Sequence, residues 1–98
     1  MYIDKKTKIQ EIDTGLGTIG RIRILAQLAK KPNEYFTKYT LLKLTGLKRS
    51  DLKNNLSYLT SIQWVKEYKS IYSEYQINLD NPTVKLLCDF FVKSGYIN

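Results

Sequence analysis

Residues 39–65 read YTLLKLTGLKRSDLKNNLSYLTSIQWV, and this stretch decides the fold. Its first part predicts a short helix over 38–45 that ends at Gly46, because glycine adopts the left-handed conformation of a helix C-terminus without a steric penalty. A second helix is predicted over 49–62. Its leucines recur at spacings of four and three, which places them on one face: Leu52, Leu56 and Leu59. Two helices joined by such a tight turn form a helix-turn-helix.

The flanking residues add elements on both sides. Thr18 can cap an earlier helix that runs to about Lys31, and Pro32 breaks it. Beyond the central stretch, strands are predicted over 64–69 and 75–79, with a turn at 70–73, which makes a two-stranded hairpin. Asn81 followed by Pro82 marks the start of a last helix over 82–94, since these residue types favour the cap and the first helical position. The predicted order is helix, helix, helix, hairpin, helix.

In this order the chain resembles the winged-helix DNA-binding family, in particular small archaeal and bacterial transcriptional regulators. The resemblance covers residues 18–79 and rests on the turn at 44–47, on the leucines that follow it, and on a hairpin in the place of the wing. It implies a mainly α winged helix-turn-helix with a small β-hairpin and a C-terminal helix. It also implies sequence-specific binding to double-stranded DNA as a transcriptional regulator, with the helix at 49–62 in the major groove. Residues 1–17 form an N-terminal segment or arm in this interpretation, and residues 80–98 form a C-terminal helix for dimerisation.

The charge distribution favours a polyanionic partner. The 98 residues carry a net charge of +7, and residues 30–53 contain seven basic side chains against two acidic ones, a net of +5. The chain has one cysteine and no histidine, which excludes an intramolecular disulfide, a Cys/His zinc site and a catalytic triad that needs imidazole. We therefore expect no enzyme activity, no metal and no cofactor. Without an apolar run that could span a bilayer or serve as a secretory signal, we expect a cytoplasmic protein with no membrane partner.

The predicted DNA-binding residues lie on the helix at 49–62 and around it. Small polar side chains short enough to approach base edges occupy the face opposite the leucines, and Asn54 can make a two-bond contact to adenine. Arg49 can pair with guanine or hold a phosphate. The alternative is an ordinary solvated face. The full predicted set is Lys38, Lys48, Arg49, Ser50, Lys53, Asn54, Ser57 and Lys69. The wing carries no arginine, so deep insertion of the wing into the minor groove is not expected.

The last helix is too apolar for one docked face. Its apolar residues predict a homodimer interface, which would set two recognition helices on half-sites about 10 bp apart: Val84, Leu87, Cys88, Phe90 and Phe91. The alternative is that the N-terminal segment covers this surface. Cys88 is expected to be a structural thiol.

Other functions remain open at this stage. Gly15, Gly17 and Gly20 spell G-x-G-x-x-G, but no buried strand precedes them and no strand–helix–strand unit follows, so a dinucleotide site is not expected. Arg21 and Arg23 either contact phosphates or pair with acids such as Asp13. A winged helix can also serve as a protein-interaction module or as a non-specific DNA-binding chromatin protein, because fold alone does not fix function.

Overall fold

The computed structural model describes residues 11 and 13–97 of the chain. Residues 13–15 are helical, and four helices with defined bounds follow them: α1 (Ile19–Lys30), α2 (Lys38–Thr45), α3 (Arg49–Ser61) and α4 (Pro82–Lys93). Three strands lie among these helices: β1 (Phe36–Thr37), β2 (Val65–Tyr68) and β3 (Glu74–Ile77).

The helix boundaries follow the local chemistry that the sequence predicts. The side chains of Thr18, Thr37 and Asn81 each accept a hydrogen bond from a backbone N–H in the first turn of the helix that they cap. Gly46 has a φ of 70° and donates its N–H to the Leu42 carbonyl, so α2 ends in the left-handed glycine cap. Each helix lies within two residues of its predicted bounds.

The sheet has one strand more than predicted. All pairs are antiparallel in the order β1-β3-β2, with Val65 opposite Ile77 in the hairpin and Phe36 opposite Tyr75 at the added edge. Because β1 is followed directly by α2, backbone hydrogen bonds connect the hairpin to the start of the helix-turn-helix. A strand of two residues is too short to show a period, so no pattern in the sequence predicts it.

The core lies between α1, α3 and the inner face of the sheet. Leu52, Leu56 and Leu59 are buried as predicted. In α1 the sequence spacing predicts a stripe of Ile22, Leu25, Ala26 and Ala29. The last three are buried together with Ile24 and Leu28, whereas Ile22 is half-buried. The buried apolar residues form one cluster, to which α4 and the C-terminal end also contribute Val84, Phe91 and Ile97.

The glycines of the G-x-G-x-x-G segment serve packing. A Cβ on Gly15 would lie within 2.8 Å of three atoms of the Trp64 ring, and one on Gly20 would lie 2.7 Å from the Asn55 amide nitrogen. The strands are antiparallel, unlike the parallel sheet of a dinucleotide fold. The glycine spacing therefore reflects close contacts with α3 and with Trp64 behind it.

Candidate nucleic-acid interface

The outward face of α3 is polar and exposed. Ser50, Lys53, Asn54 and Ser57 are all exposed, whereas the three leucines of the opposite face are at most 1% exposed. Asp51, in the first turn, is the one acidic side chain of α3 and suits the positive end of the helix dipole. The helix thus presents short polar groups to the outside along two turns.

A groove of about 260 Å³ separates α2 from α3. Three of the predicted DNA-binding residues, Lys38, Arg49 and Lys53, line it, and its apolar walls come from Tyr39, Leu42 and Leu52. Lys48 is the N-cap residue of α3 and is exposed. It precedes Arg49 in the chain but does not line the groove. The fold therefore gathers cations from two helices that the sequence separates by a turn.

Among the described residues, no cation of residues 30–53 has a carboxylate partner within ion-pair distance. Within residues 11 and 13–97, the ion pairs are Lys66–Asp80 at 2.8 Å and Lys93–Asp89 at 3.0 Å, both outside this segment. Lys43 lies 4.5 Å from the ring centroid of Tyr39, a cation–π contact that leaves its charge in place. The net positive charge of this surface is therefore not neutralised locally.

Arg21 fixes α3 against α1. Its Nε donates to Asn55 Oδ1 at 3.0 Å, its Nη1 donates to the Thr14 carbonyl, and its guanidinium lies 4.1 Å from the Tyr58 ring centroid. The predicted partners were phosphates or nearby acids, and the structure instead uses this side chain as a brace between helices. Asn55 and Tyr58 are three residues apart on one flank of α3, the only pattern that could have indicated this contact.

The two lysines of the wing have different environments. Of its lysines, Lys69 is exposed at the end of β2, while Lys66 donates a hydrogen bond to Asp80 Oδ2. This hydrogen bond raises the pKa of Lys66 and lowers the pKa of Asp80. At the tip, Ile71 is 93% exposed and Tyr72 is 74% exposed. Sequence reasoning placed neither residue in the site.

The pKa values of two tyrosines in or next to the sheet, Tyr35 and Tyr75, are raised. Tyr35 and Tyr68 meet edge to face with centroids 4.8 Å apart, and a hydrogen bond with Tyr68 raises the pKa of Tyr35. Burial raises the pKa of Tyr75, whose hydroxyl donates to Glu67 Oε2 at 3.2 Å. The first contact joins the residue before β1 to the end of β2, and the second joins β3 to β2.

The α4 prediction needs a correction. Val84 and Phe91 are 0% and 3% exposed and belong to the core of the protomer, because α4 turns this face toward α1. Leu87 and Cys88 are half-buried, and burial raises the pKa of the Cys88 thiol. Of the predicted interface residues only Phe90 is exposed, and it shares the outer face of α4 with Leu86 and Val92.

An apolar groove runs beside this outer face. Its volume is about 710 Å³, and its apolar lining joins the end of α1 to α4: Ala29, Pro32, Leu79, Pro82, Leu86 and Val92. The predicted alternative cover is the N-terminal segment at 1–17, of which residues 1–10 and 12 lie outside the described residues. Within the described part of the chain, no three or more potential metal-ligating side chains come together, and no helix is long and apolar enough to cross a membrane.

Comparison with known proteins identifies the fold. No protein-family model and no curated protein matches the sequence. Among solved structures, HlyU from Vibrio cholerae superposes with a TM-score of 0.74 at 18% identity, covering 93% of this chain and 96% of that chain. The transcriptional repressor BigR from Xylella fastidiosa has a TM-score of 0.74 at 14% identity, with coverages of 90% and 87%. The homodimeric winged helix-turn-helix DNA-binding domain of Mb0332 from Mycobacterium bovis has a TM-score of 0.70 at 19% identity, with coverages of 96% and 87%. With this element order and these neighbours, the chain has the winged helix-turn-helix fold.

Proposed function

We propose that this protein is a transcriptional regulator that binds double-stranded DNA in a sequence-specific manner, with α3 in the major groove. The observation that carries the proposal is the outward face of α3, which is exposed, polar and surrounded by unpaired cations. Two of the structural neighbours support it: BigR is named as a transcriptional repressor and Mb0332 as having a DNA-binding domain. We propose no catalytic step.

Asn54 and Arg49 are the proposed base-reading residues. The side-chain amide of Asn54 can donate to N7 and accept from the N6 amino group of adenine as a bidentate pair, and the Arg49 guanidinium matches O6 and N7 of guanine. Both residues lie in the first two turns of α3, the end of a recognition helix that contacts base edges in a helix-turn-helix. Ser50 and Ser57 are short enough to let the helix approach the bases.

Lys38, Lys48, Lys53 and Lys69 are the proposed phosphate contacts. Lys38 and Lys53 line the groove between α2 and α3, Lys48 is the N-cap residue of α3, and Lys69 follows β2 in the wing. Each neutralised phosphate releases condensed counterions, so the binding constant should fall steeply as salt increases. Contacts of this kind fix the position of the protein on the duplex without reading its sequence.

We also propose a homodimer formed through α4, with residues 80–98 as the dimerisation segment and residues 18–79 as the DNA-binding domain. The exposed apolar side chains of α4 are Leu86 at 72%, Phe90 at 60% and Val92 at 54%, and the adjoining groove extends this apolar surface. Contiguous apolar surface of this kind usually marks an interface. The neighbouring Mb0332 domain is described as homodimeric.

The test is selection of oligonucleotides from a random duplex pool, followed by binding measurements across a salt series. We expect Asn54→Ala and Arg49→Ala each to weaken binding to the selected duplex by about 1–3 kcal/mol and to relax base preference at one position. Asn33→Ala, which removes an exposed asparagine from the loop after α1, is the matched control. If the pool yields no preferred sequence but binding is salt-dependent, the protein is a non-specific chromatin-type binder. If low-salt binding is absent, the protein-interaction module is the better assignment.

The dimer is tested separately by sedimentation equilibrium. Phe90→Ser should shift the protein toward the monomer mass, and Ile71→Ser, which removes a more exposed apolar residue from the wing, should not. A wild-type protein that sediments as a monomer at all concentrations would contradict the dimer without affecting the DNA-binding proposal.

A further inference from the structure

The tip of the wing carries apolar surface that the fold does not need. Ile71 is the most exposed large apolar side chain in the described chain at 93%, and Tyr72 beside it is 74% exposed. The turn is closed by other groups, since Ser70 Oγ donates to the Tyr72 carbonyl at 3.0 Å and the strands pair up to Tyr68 and Glu74. Neither side chain therefore contributes core packing to the hairpin.

The wing also has little charge available for an electrostatic contact with DNA. Lys66 is held by Asp80, which leaves Lys69 as the free cation of the described hairpin. A wing without arginine lacks the side chain that the negative potential of a narrow minor groove attracts. An exposed isoleucine can enter the minor groove in another way, because apolar side chains wedge between base steps and need no charge to do so.

We propose that Ile71 is a wedge that enters the minor groove, partly unstacks one base step and bends the DNA, with Tyr72 packed against the adjoining sugar edge. This inference rests on the proposed DNA-binding function. Duplex DNA is the favoured occupant because the hairpin follows α3 directly in the chain, with β2 starting four residues after α3 ends, and because Lys69, next to the tip, provides a cation for a phosphate that borders the groove.

The fold supports a wedge in a defined position. The hairpin is paired to β1, and β1 leads directly into α2, so the tip is connected through backbone hydrogen bonds to the helix-turn-helix. The Tyr35–Tyr68 contact braces the same end of the hairpin. A tip held in this way can transfer the binding energy of α3 into deformation of the duplex, which a freely moving loop could not do.

The experiment measures DNA bending with the full chain. The probe is the selected duplex, extended to about 30 bp with a donor and an acceptor dye at its ends, so that a bend raises energy transfer. A second copy of the probe carries 2-aminopurine at successive steps, because this base brightens when it is unstacked. We expect the wild type to bend the duplex by about 20° or more and to brighten one step.

Two variants separate the wedge from ordinary phosphate binding. Ile71→Ser should abolish the bend and the 2-aminopurine signal and should weaken binding about tenfold, with an unchanged salt slope. Lys69→Ala is the matched control: it should keep the bend and lower the salt slope by about 0.9. Because Ile71 lies outside the core, its replacement should leave the melting temperature unchanged, which a thermal melt verifies.

The outcomes distinguish this proposal from the one on which it rests. A wild type that binds the selected duplex but leaves it straight, or an Ile71→Ser variant that bends it equally, overturns the wedge and leaves the regulator assignment intact. If Ile71→Ser instead changes the sedimentation mass, the tip binds a second copy of the chain, and the wedge is also overturned. A wild type that binds no DNA overturns both proposals.

Discussion

Replacement of Gly15 by alanine tests the packing behind α3. Gly15 is helical and buried, and the added Cβ would lie within 2.8 Å of three atoms of the Trp64 ring. Trp64 is 0% exposed, and its Nε1 donates to the Glu11 carboxylate, so the ring has little freedom to move aside. In a helix without this contact, the substitution would stabilise the fold by about 0.5–1 kcal/mol, because glycine loses more backbone entropy on folding.

Overpacking has the opposite sign and is larger. Forcing a methyl group into a filled core costs about 1–3 kcal/mol. The net expectation for Gly15→Ala is therefore a loss of about 1–2 kcal/mol. For a domain of this size, such a loss lowers the melting temperature by roughly 5–10 °C. Thermal and urea denaturation monitored by circular dichroism measure it directly.

A double-mutant cycle makes the cause specific. Trp64→Phe removes the part of the ring that the new methyl group would meet, and on its own it should destabilise the core by leaving a cavity. In the double variant, the methyl group occupies part of that cavity, so the two losses should fall short of additivity by about 0.5 kcal/mol or more. An increase in melting temperature for Gly15→Ala, or strict additivity in the cycle, would refute the reasoning.

Three further predictions concern single side chains. Arg21→Met should lower the free energy of unfolding by about 2 kcal/mol, because it removes hydrogen bonds from a charged donor and a cation–π contact. Arg21→Lys should not restore stability, since lysine lacks the planar guanidinium group. Chemical denaturation of both variants measures these changes. Asp80→Asn should lower stability at neutral pH and have no effect in acid. The hydrogen bond from Lys66 holds the pKa of Asp80 below its ordinary 3.8, so the stabilisation by this ion pair is complete above that value and is lost as the pH falls through the lowered pKa. Thermal melts of both proteins across pH measure the difference. Cys88, with its raised pKa, should react with iodoacetamide at pH 7.5 more slowly than a free cysteine, and a rate equal to that of the free thiol would contradict its half-buried position.

Local signals predicted most of the architecture. The caps at Thr18, Thr37 and Asn81 and the glycine at 46 each act within a few residues, and the leucine spacing of α3 reports one face of one helix. These features depend on neighbours in sequence, and for that reason they could be recognised without a tertiary structure. The exposed face of α3 follows from the same spacing.

What the sequence could not supply depends on contacts between distant segments. The edge strand at 36–37 is defined only by its pairing with residues 74–75. Val84 and Phe91 lie opposite the polar stripe of Lys85, Asp89 and Lys93, but periodicity alone does not say whether that apolar face packs in the core of the same chain or against a second copy. Charge alone predicts acids or phosphates as the partners of Arg21. In the structure, its guanidinium contacts Asn55 and Tyr58 of α3.

The edge strand has a consequence for how a duplex would have to be read. Because β1 joins the wing to the first residue of α2, backbone hydrogen bonds limit how far the tip can move relative to the helix-turn-helix. If the chain binds DNA as proposed, it has little freedom to adapt to variation in the width or the twist of the duplex. The nucleic acid must then make the adjustment, and sequences that deform easily gain an advantage at base pairs that no side chain touches.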